Sequence, residues 1–223
     1  MKLTADDHAR VTAAVTAAEA ATDGEILTIV ADKSDSYHDV GYQWALLVML
    51  LALAVIAATP GHFVWLLDLV HEDWGQGRPS WQLLTILLFT LTAKFLVARY
   101  LLAWMPLRMA LTPGATKARR VRRAAIAFFK VGAERRTASR TGVLLYLSLA
   151  EHRAEIVADA SIAARVPAEA WGDVMADLVG EIRAGRPGDG MVAAIAAIGA
   201  LLAREFPRTG TDPNELPDRL IEL

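Results

Sequence analysis

The chain has 223 residues, a hydrophobic share of 54%, 23 basic and 25 acidic side chains, and no cysteine. That excludes disulfides, thiolate metal centres and cysteine nucleophiles, without assigning a compartment. The net charge of −2 conceals an uneven spread, since residues 1–42 carry eight acids and three bases and contain no apolar core of a cleavable signal peptide.

The first predicted element is an amphipathic helix over residues 3–22. Thr4 with Asp7 forms a capping-box pattern, in which each residue satisfies a free backbone donor of the other. Val11, Ala14, Val15 and Ala18 follow at helical spacing on one face, and Asp23-Gly24 ends the element. Glu25 to Ala31 is rich in β-branched residues and is bounded by turn formers, which predicts a strand.

Residues 42–105 hold two long apolar runs joined by a polar turn. We read them as a transmembrane helical hairpin with spans at 43–60 and 81–103, because a bilayer core about 30 Å thick needs roughly 20 mostly apolar residues. No charge occurs from Trp44 to Leu67. Trp44, Trp81 and Trp104 flank the runs as interfacial anchors. Lys94 and Arg99, late in the second span, are expected to lay their stems along lipid and reach the headgroups. Two buried helices of a large soluble core are the competing reading.

Positive charge concentrates immediately afterwards: residues 106–140 carry ten bases and a single acid, Glu134. The turn between the spans has Arg78 against Asp68, Glu72 and Asp73. The lysine and arginine bias therefore places the turn outside and both termini in the cytoplasm; alanine and arginine richness is associated with a bacterial source, so the expected location is multi-pass in the inner membrane. Membrane lipid is the expected partner of this block, and nucleic acid is not. His62 and His71 beside those turn acids form a weak candidate metal site.

Past Pro113-Gly114, a helix is predicted over 116–136 with Val121, Ala125, Phe128 and Gly132 on its inner side. Gly142 to Leu149 and Ala154 to Ala158 read as two strands joined by a tight turn, the first central because it is nearly continuous in apolar residues and the second, which alternates, nearer an edge. Pro167 falls in the first turn of the next helix, whose inner face is Trp171, Val174, Met175, Leu178 and Ile182. Its acids, Glu169, Asp173, Asp177 and Glu181, read as a solvated face. Gly185 ends that helix and Asp189 can cap the next. That next run, Met191 to Ala203, is apolar all round and too short to span, so it should lie buried across the sheet. The tail from Phe206 carries three prolines and reads as a surface strap ending in a short turn of helix. Gly185 to Gly190 lacks the lysine of a phosphate-binding loop.

Several weak patterns in this order resemble the TPM domain, the family that includes thylakoid-lumen photosystem II repair proteins. They are Thr4 through Lys33 with its Asp23-Gly24-Glu25-Ile26 turn, Thr141 to Leu147 followed by His152 to Ile156, and Gly185 to Gly190 opening the buried helix. The resemblance implies an α/β fold: a three-layer α/β/α domain with a small mixed sheet, interrupted by a two-helix transmembrane hairpin. Residues 1–40 would be its first part, 41–106 the hairpin, 107–206 its second part and 207–223 the strap. A hairpin leaves and returns on one side of a bilayer, so the two parts can meet.

The same resemblance bears on chemistry, since members of the family include calcium-binding proteins and acid phosphatases that use acidic and arginine residues of the central hairpin turn. Here that turn is Glu151-His152-Arg153, followed by Asp159, a departure from the aspartate-rich pattern. Arg153 can hold a phosphate or carboxylate by paired hydrogen bonds, or it pairs with Glu155 or Glu151 across the turn. Glu151, Asp159 and Asp32 can offer oxygens to a divalent cation such as calcium. Two functions follow as expectations. The first is a membrane-held, non-catalytic module serving another membrane or envelope protein; the second is a membrane-tethered, metal-dependent phosphatase.

Overall fold

The computed structural model describes residues 3–68, 79–132, 141–209 and 216–223. In chain order the elements are α1 (Ala5–Glu19), β1 (Glu25–Ala31), α2 (His38–Ala58), α3 (Pro60–Asp68), α4 (Ser80–Leu101), α5 (Met105–Ala110), α6 (Gly114–Gly132), β2 (Gly142–Ser148) and β3 (Arg153–Ala158). They are followed by α7 (Ala160–Ala163), α8 (Ala168–Arg183), α9 (Pro187–Glu205) and β4 (Ile221–Glu222). The chain divides into one unit built from Met1–Ser36 and Gly114–Leu223 and a second built from Tyr37–Pro113.

In the first unit the strands lie in the order β3-β2-β1-β4. β1 runs parallel to β2 and to β4, and β3 returns antiparallel to β2, so the sheet is mixed. Strand alternation sorts the side chains onto two faces. Ile26, Val30, Val143, Leu145 and Leu147 pack with α1, α8 and α9, while Leu27, Ile29, Ala31, Leu144 and Tyr146 pack with Val121, Ala125 and Phe129 of α6. Each fully buried aliphatic side chain contributes about 1.5–3 kcal/mol relative to exposure. The result is the three-layer α/β/α arrangement that the sequence led us to expect. β2 is interior and β3 lies at an edge.

Local signals explain several boundaries. Asp7 N donates to Thr4 Oγ1 at 3.1 Å and Thr4 N donates to Asp7 Oδ2 at 2.9 Å, the reciprocal cap read from the sequence. Gly188 and Gly199 let α9 press against α1, because a Cβ at either would meet Asp7 or Ala18 at 2.0 and 2.6 Å. Gly185, at φ +81°, turns the chain out of α8.

Four expectations need correction. α9 is 19 residues long, not about 13, and is apolar enough to cross a membrane by length and composition. Its Met191, Ala194, Ile195, Ile198 and Leu202 nonetheless belong to the core of the first unit. Asp189 does not cap α9 but forms ion pairs with Arg10 and Arg186. Phe129 joins the inner side of α6, and Phe128 stacks on Tyr146 with centroids 5.7 Å apart. The tail does not end in a helical turn: Ile221 pairs with Ile29 as β4, adding an edge strand that too few residues announce in sequence.

In the second unit α2 and α4 lie side by side. The helices bracket the two predicted spans within a few residues, except that α2 begins earlier, at His38. α4 has no buried residue, and Leu51, Leu84, Leu88 and Phe89 are 62–70% exposed. At the base of this unit Tyr37, Val40 and Met109 form a small core with Trp44 and Met105. Buried Arg108 donates to Leu102 O at 2.8 Å, and Trp44 Nε1 donates to Leu111 O at 3.3 Å. Trp44 is therefore held partly inside its own unit, whereas Trp81 and Trp104 are exposed. Arg99 lies over the Tyr42 ring, 4.5 Å from its centroid. His62 stacks on Trp65; its proposed companions His71, Glu72 and Asp73 lie outside the described residues, as does Arg78.

Candidate functional site

Parallel strands that end together leave a crevice at their carboxyl ends, and ligand sites of open α/β sheets collect there. The register aligns Ala31 of β1 with Ser148 of β2. The chain after β1 (Asp32 to Ser36), the β2–β3 turn and the start of α6 therefore converge. Leu149 N donates to Ala31 O at 3.0 Å and Ala150 N to Asp32 O at 2.9 Å, tying the turn to the end of β1. His152 completes that turn in the left-handed region, φ 49°, which costs a residue with a Cβ some strain.

Glu151 sits beneath the turn, 6% exposed. One of its carboxylate oxygens accepts from Ser34 N at 3.0 Å and the other accepts a short bond from Ser148 Oγ. Ser34 Oγ in turn donates to Ser148 Oγ at 2.9 Å and lies 3.1 Å from the Tyr146 hydroxyl. Burial raises the Tyr146 pKa, against the Ser34 hydrogen bond, so its hydroxyl stays protonated. A buried network of this kind is stable because its members answer one another.

Around it lie the charged groups. Arg120 donates to Asp35 Oδ2 at 3.0 Å. Glu155 is half-buried and its pKa is raised by that burial, with Arg122 at 3.9 Å and Arg153 opposing the shift. Arg153 forms neither of the hydrogen-bonded pairs expected of it: among the described residues its guanidinium makes no hydrogen bond or ion pair, and it lies 3.5 Å from where a side chain on Gly114 would begin. Asp32 is exposed beside the turn.

Asp159 is placed elsewhere. Its Oδ2 accepts from Gly142 N at 2.9 Å, at the opposite end of β2 from Ser148. With about 3.3 Å per residue along β2, that is on the order of 20 Å from Glu151. The three expected calcium ligands, Glu151, Asp159 and Asp32, therefore cannot share one ion, and both Glu151 oxygens already accept hydrogen bonds. Among the described residues no group of three acidic or histidine side chains is placed to hold a metal. The structure thus brings Glu151, Arg153 and Asp32 to one end of the sheet and removes Asp159. It adds Ser34, Tyr146, Ser148 and the Asp35–Arg120 pair, which the sequence reading missed. The available signal was Tyr146 and Ser148, two hydroxyls near the end of an otherwise aliphatic strand.

Residues 107–201 match the family model of the TPM domain. The chain carries a TPM domain. The match runs from within α5 to most of α9; the structure adds α1 and β1 to the unit that holds α6 to α9. The fold also resembles the NMR structure of the BA42 protein from the psychrophilic bacterium Bizionia argentinensis, with a TM-score of 0.56 and 16% identity over 100% of this chain and 97% of that one. At that identity the likeness concerns the fold alone. No curated protein sequence matches the chain.

Proposed function

We propose that this is an integral membrane protein of the bacterial inner membrane whose TPM domain is a non-catalytic binding or accessory module for a membrane or envelope protein complex. The observation that carries the reading is the division of labour at the carboxyl end of β1 and β2. Glu151 is spent on Ser34 and Ser148 of its own domain, while Arg153 beside it keeps its donors open. A planar guanidinium in that state suits a carboxylate or phosphate on a partner, held by two parallel hydrogen bonds. The exposed apolar sides of α2 and α4 support the anchor, because patches of that extent on a soluble monomer would be a liability. The basic block after α4 supports cytoplasmic termini.

A second reading, as a phosphate-ester hydrolase, would draw on the serine hydroxyl bonded to a carboxylate, Ser148 to Glu151, and requires that the fully buried Ser148 be uncovered to meet a substrate. Both readings are tested on the full chain in detergent. The module reading expects a cross-linked membrane partner in wild type that is lost in Arg153→Glu, with no turnover of a generic phosphate ester with or without calcium or magnesium. Turnover abolished by Ser148→Ala would instead establish the hydrolase. Reporter fusions at Gln76 and Leu223 test the topology, and a cytoplasmic signal at Gln76 overturns the orientation.

A further inference from the structure

Lys94 is a cation in apolar company. On α4 its neighbours in sequence include Phe95, Leu96 and Val97, and no residue of the helix is fully buried. Lys94 lines an open, mostly apolar groove of about 1030 Å³ whose walls include Leu51 and Val55 of α2, His62 of α3, and Thr90 and Val97 of α4. Among the described residues Lys94 makes no hydrogen bond or ion pair. The described acids of this unit, Asp39 and Asp68, do not line the groove, and His62 is its other titratable member.

An ammonium in hydrocarbon either reaches water or acquires an anion. Lys94 lies seven residues before the end of α4 at Leu101, about 10 Å along the axis. The Cα–Cβ bond of a helical residue tilts toward the helix N-terminus, so the lysine stem sets out away from that end. Reaching headgroup water at the Leu101 end works against this tilt, and bringing an anion to the ammonium does not. Basic residues set between membrane helices on the cytoplasmic side attract anionic headgroups. The apolar walls beside Lys94 offer a track for an acyl chain. A second copy of the hairpin fits less well: a two-fold axis along the membrane normal keeps equivalent residues at one depth, so pairing through this groove would set Lys94 toward Lys94 in a medium that screens poorly.

We propose that the groove binds an anionic phospholipid, its phosphate at Lys94 and an acyl chain along Leu51, Val55 and Val97. The proposal rests on the membrane reading above. Its test is native mass spectrometry of the full chain after reconstitution with phosphatidylglycerol and phosphatidylcholine in equal amounts. Wild type retains phosphatidylglycerol preferentially, Lys94→Met reduces that retention about fivefold, Lys94→Arg preserves it, and Arg183→Met, on α8 and outside the basic block, leaves it unchanged. Equal retention in wild type and Lys94→Met overturns the proposal, as does a wild-type dimer that carries no lipid. Alkaline carbonate extraction separates the two layers of inference. Release of the chain into the aqueous fraction removes the anchor and the groove together, whereas a chain that stays with the membrane but is indifferent to Lys94 removes the groove site alone.

Discussion

The two ends of the sheet handle buried carboxylates in opposite ways. At the carboxyl end of β1 and β2, Glu151 is almost fully buried, yet both oxygens meet donors supplied by Ser34 and Ser148. At the amino end of β1, Glu19 is 9% exposed; one oxygen accepts from Ile26 N at 2.7 Å and the other is buried without a partner among the described residues. Glu25 and Asp218 stand nearby, and with Arg208 they line a cavity of about 260 Å³ alongside Glu19. Burial, above all, pushes the Glu19 pKa up to about 8; Glu25 and Asp218 add to the rise, and the Ile26 bond and Arg208 oppose it. Burial alone therefore does not decide the cost of a carboxylate. What decides it is whether the fold also delivers donors.

The largest expected effect follows from that difference. Glu19 has a folded pKa above its ordinary 4.5, so folding favours its protonated form. The penalty is absent below pH 4.5, grows as pH rises from there to about 8, and is complete above that. Glu19→Gln keeps an acceptor for Ile26 N and removes the ionisation, so it should stabilise the protein by about 3 kcal/mol at pH 7 and by almost nothing at pH 4. Urea unfolding of the two proteins at both pH values checks this. A variant no more stable than wild type at pH 7 would remove the contrast between the two ends.

The same substitution at the other end should have the opposite sign. Glu151→Gln replaces charge-assisted bonds by neutral ones and sets an amide donor against one of the existing donors, costing about 1–3 kcal/mol. The measurement is again urea unfolding, at pH 7, where Glu19 is common to both proteins and drops out of the difference. A neutral outcome would mean that the serine network holds without its carboxylate.

A smaller gain should come from the turn above that network. His152 occupies a left-handed conformation that glycine adopts without a Cβ clash, so His152→Gly should stabilise by about 1 kcal/mol or less, reduced by the extra freedom glycine has when unfolded. Thermal unfolding decides it, and a clear loss of stability would show that the imidazole has a role beyond closing the turn.

How much of this was legible depends on the range of the interaction involved. The Thr4–Asp7 cap, β1, the β2–β3 hairpin and the apolar face of α8 are set by neighbours in sequence, and periodicity reveals them. The serine network joins Ser34 to Ser148 through the parallel pairing of β1 and β2, across the whole inserted hairpin, and no local pattern predicts which hydroxyls will meet. Asp159 misled for the converse reason: it is close to Glu151 in sequence, but one strand length is enough to carry it to the other end of the sheet. Glu19 reads as an ordinary acid at the end of a surface helix, and only the start of β1 and the returning tail bury it.

Arg153 carries the smallest stability effect and the sharpest functional one. Its guanidinium forms no hydrogen bond or ion pair among the described residues, so Arg153→Ala should alter stability by no more than about 0.5 kcal/mol, the range of substitutions outside packed or bonded positions. One internal trace is expected, because Arg153 helps hold down the pKa of Glu155; its removal should raise that pKa further, with burial and Arg122 left to compete. A carboxyl-detected NMR titration of Glu155 reads this directly. If Arg153→Ala destabilises the fold as much as Glu151→Gln, the arginine belongs to the internal network, and the opening it offers to an acidic partner disappears. If stability holds while partner cross-linking falls, the carboxyl end of the sheet divides cleanly into a carboxylate committed to the fold and a cation kept for binding.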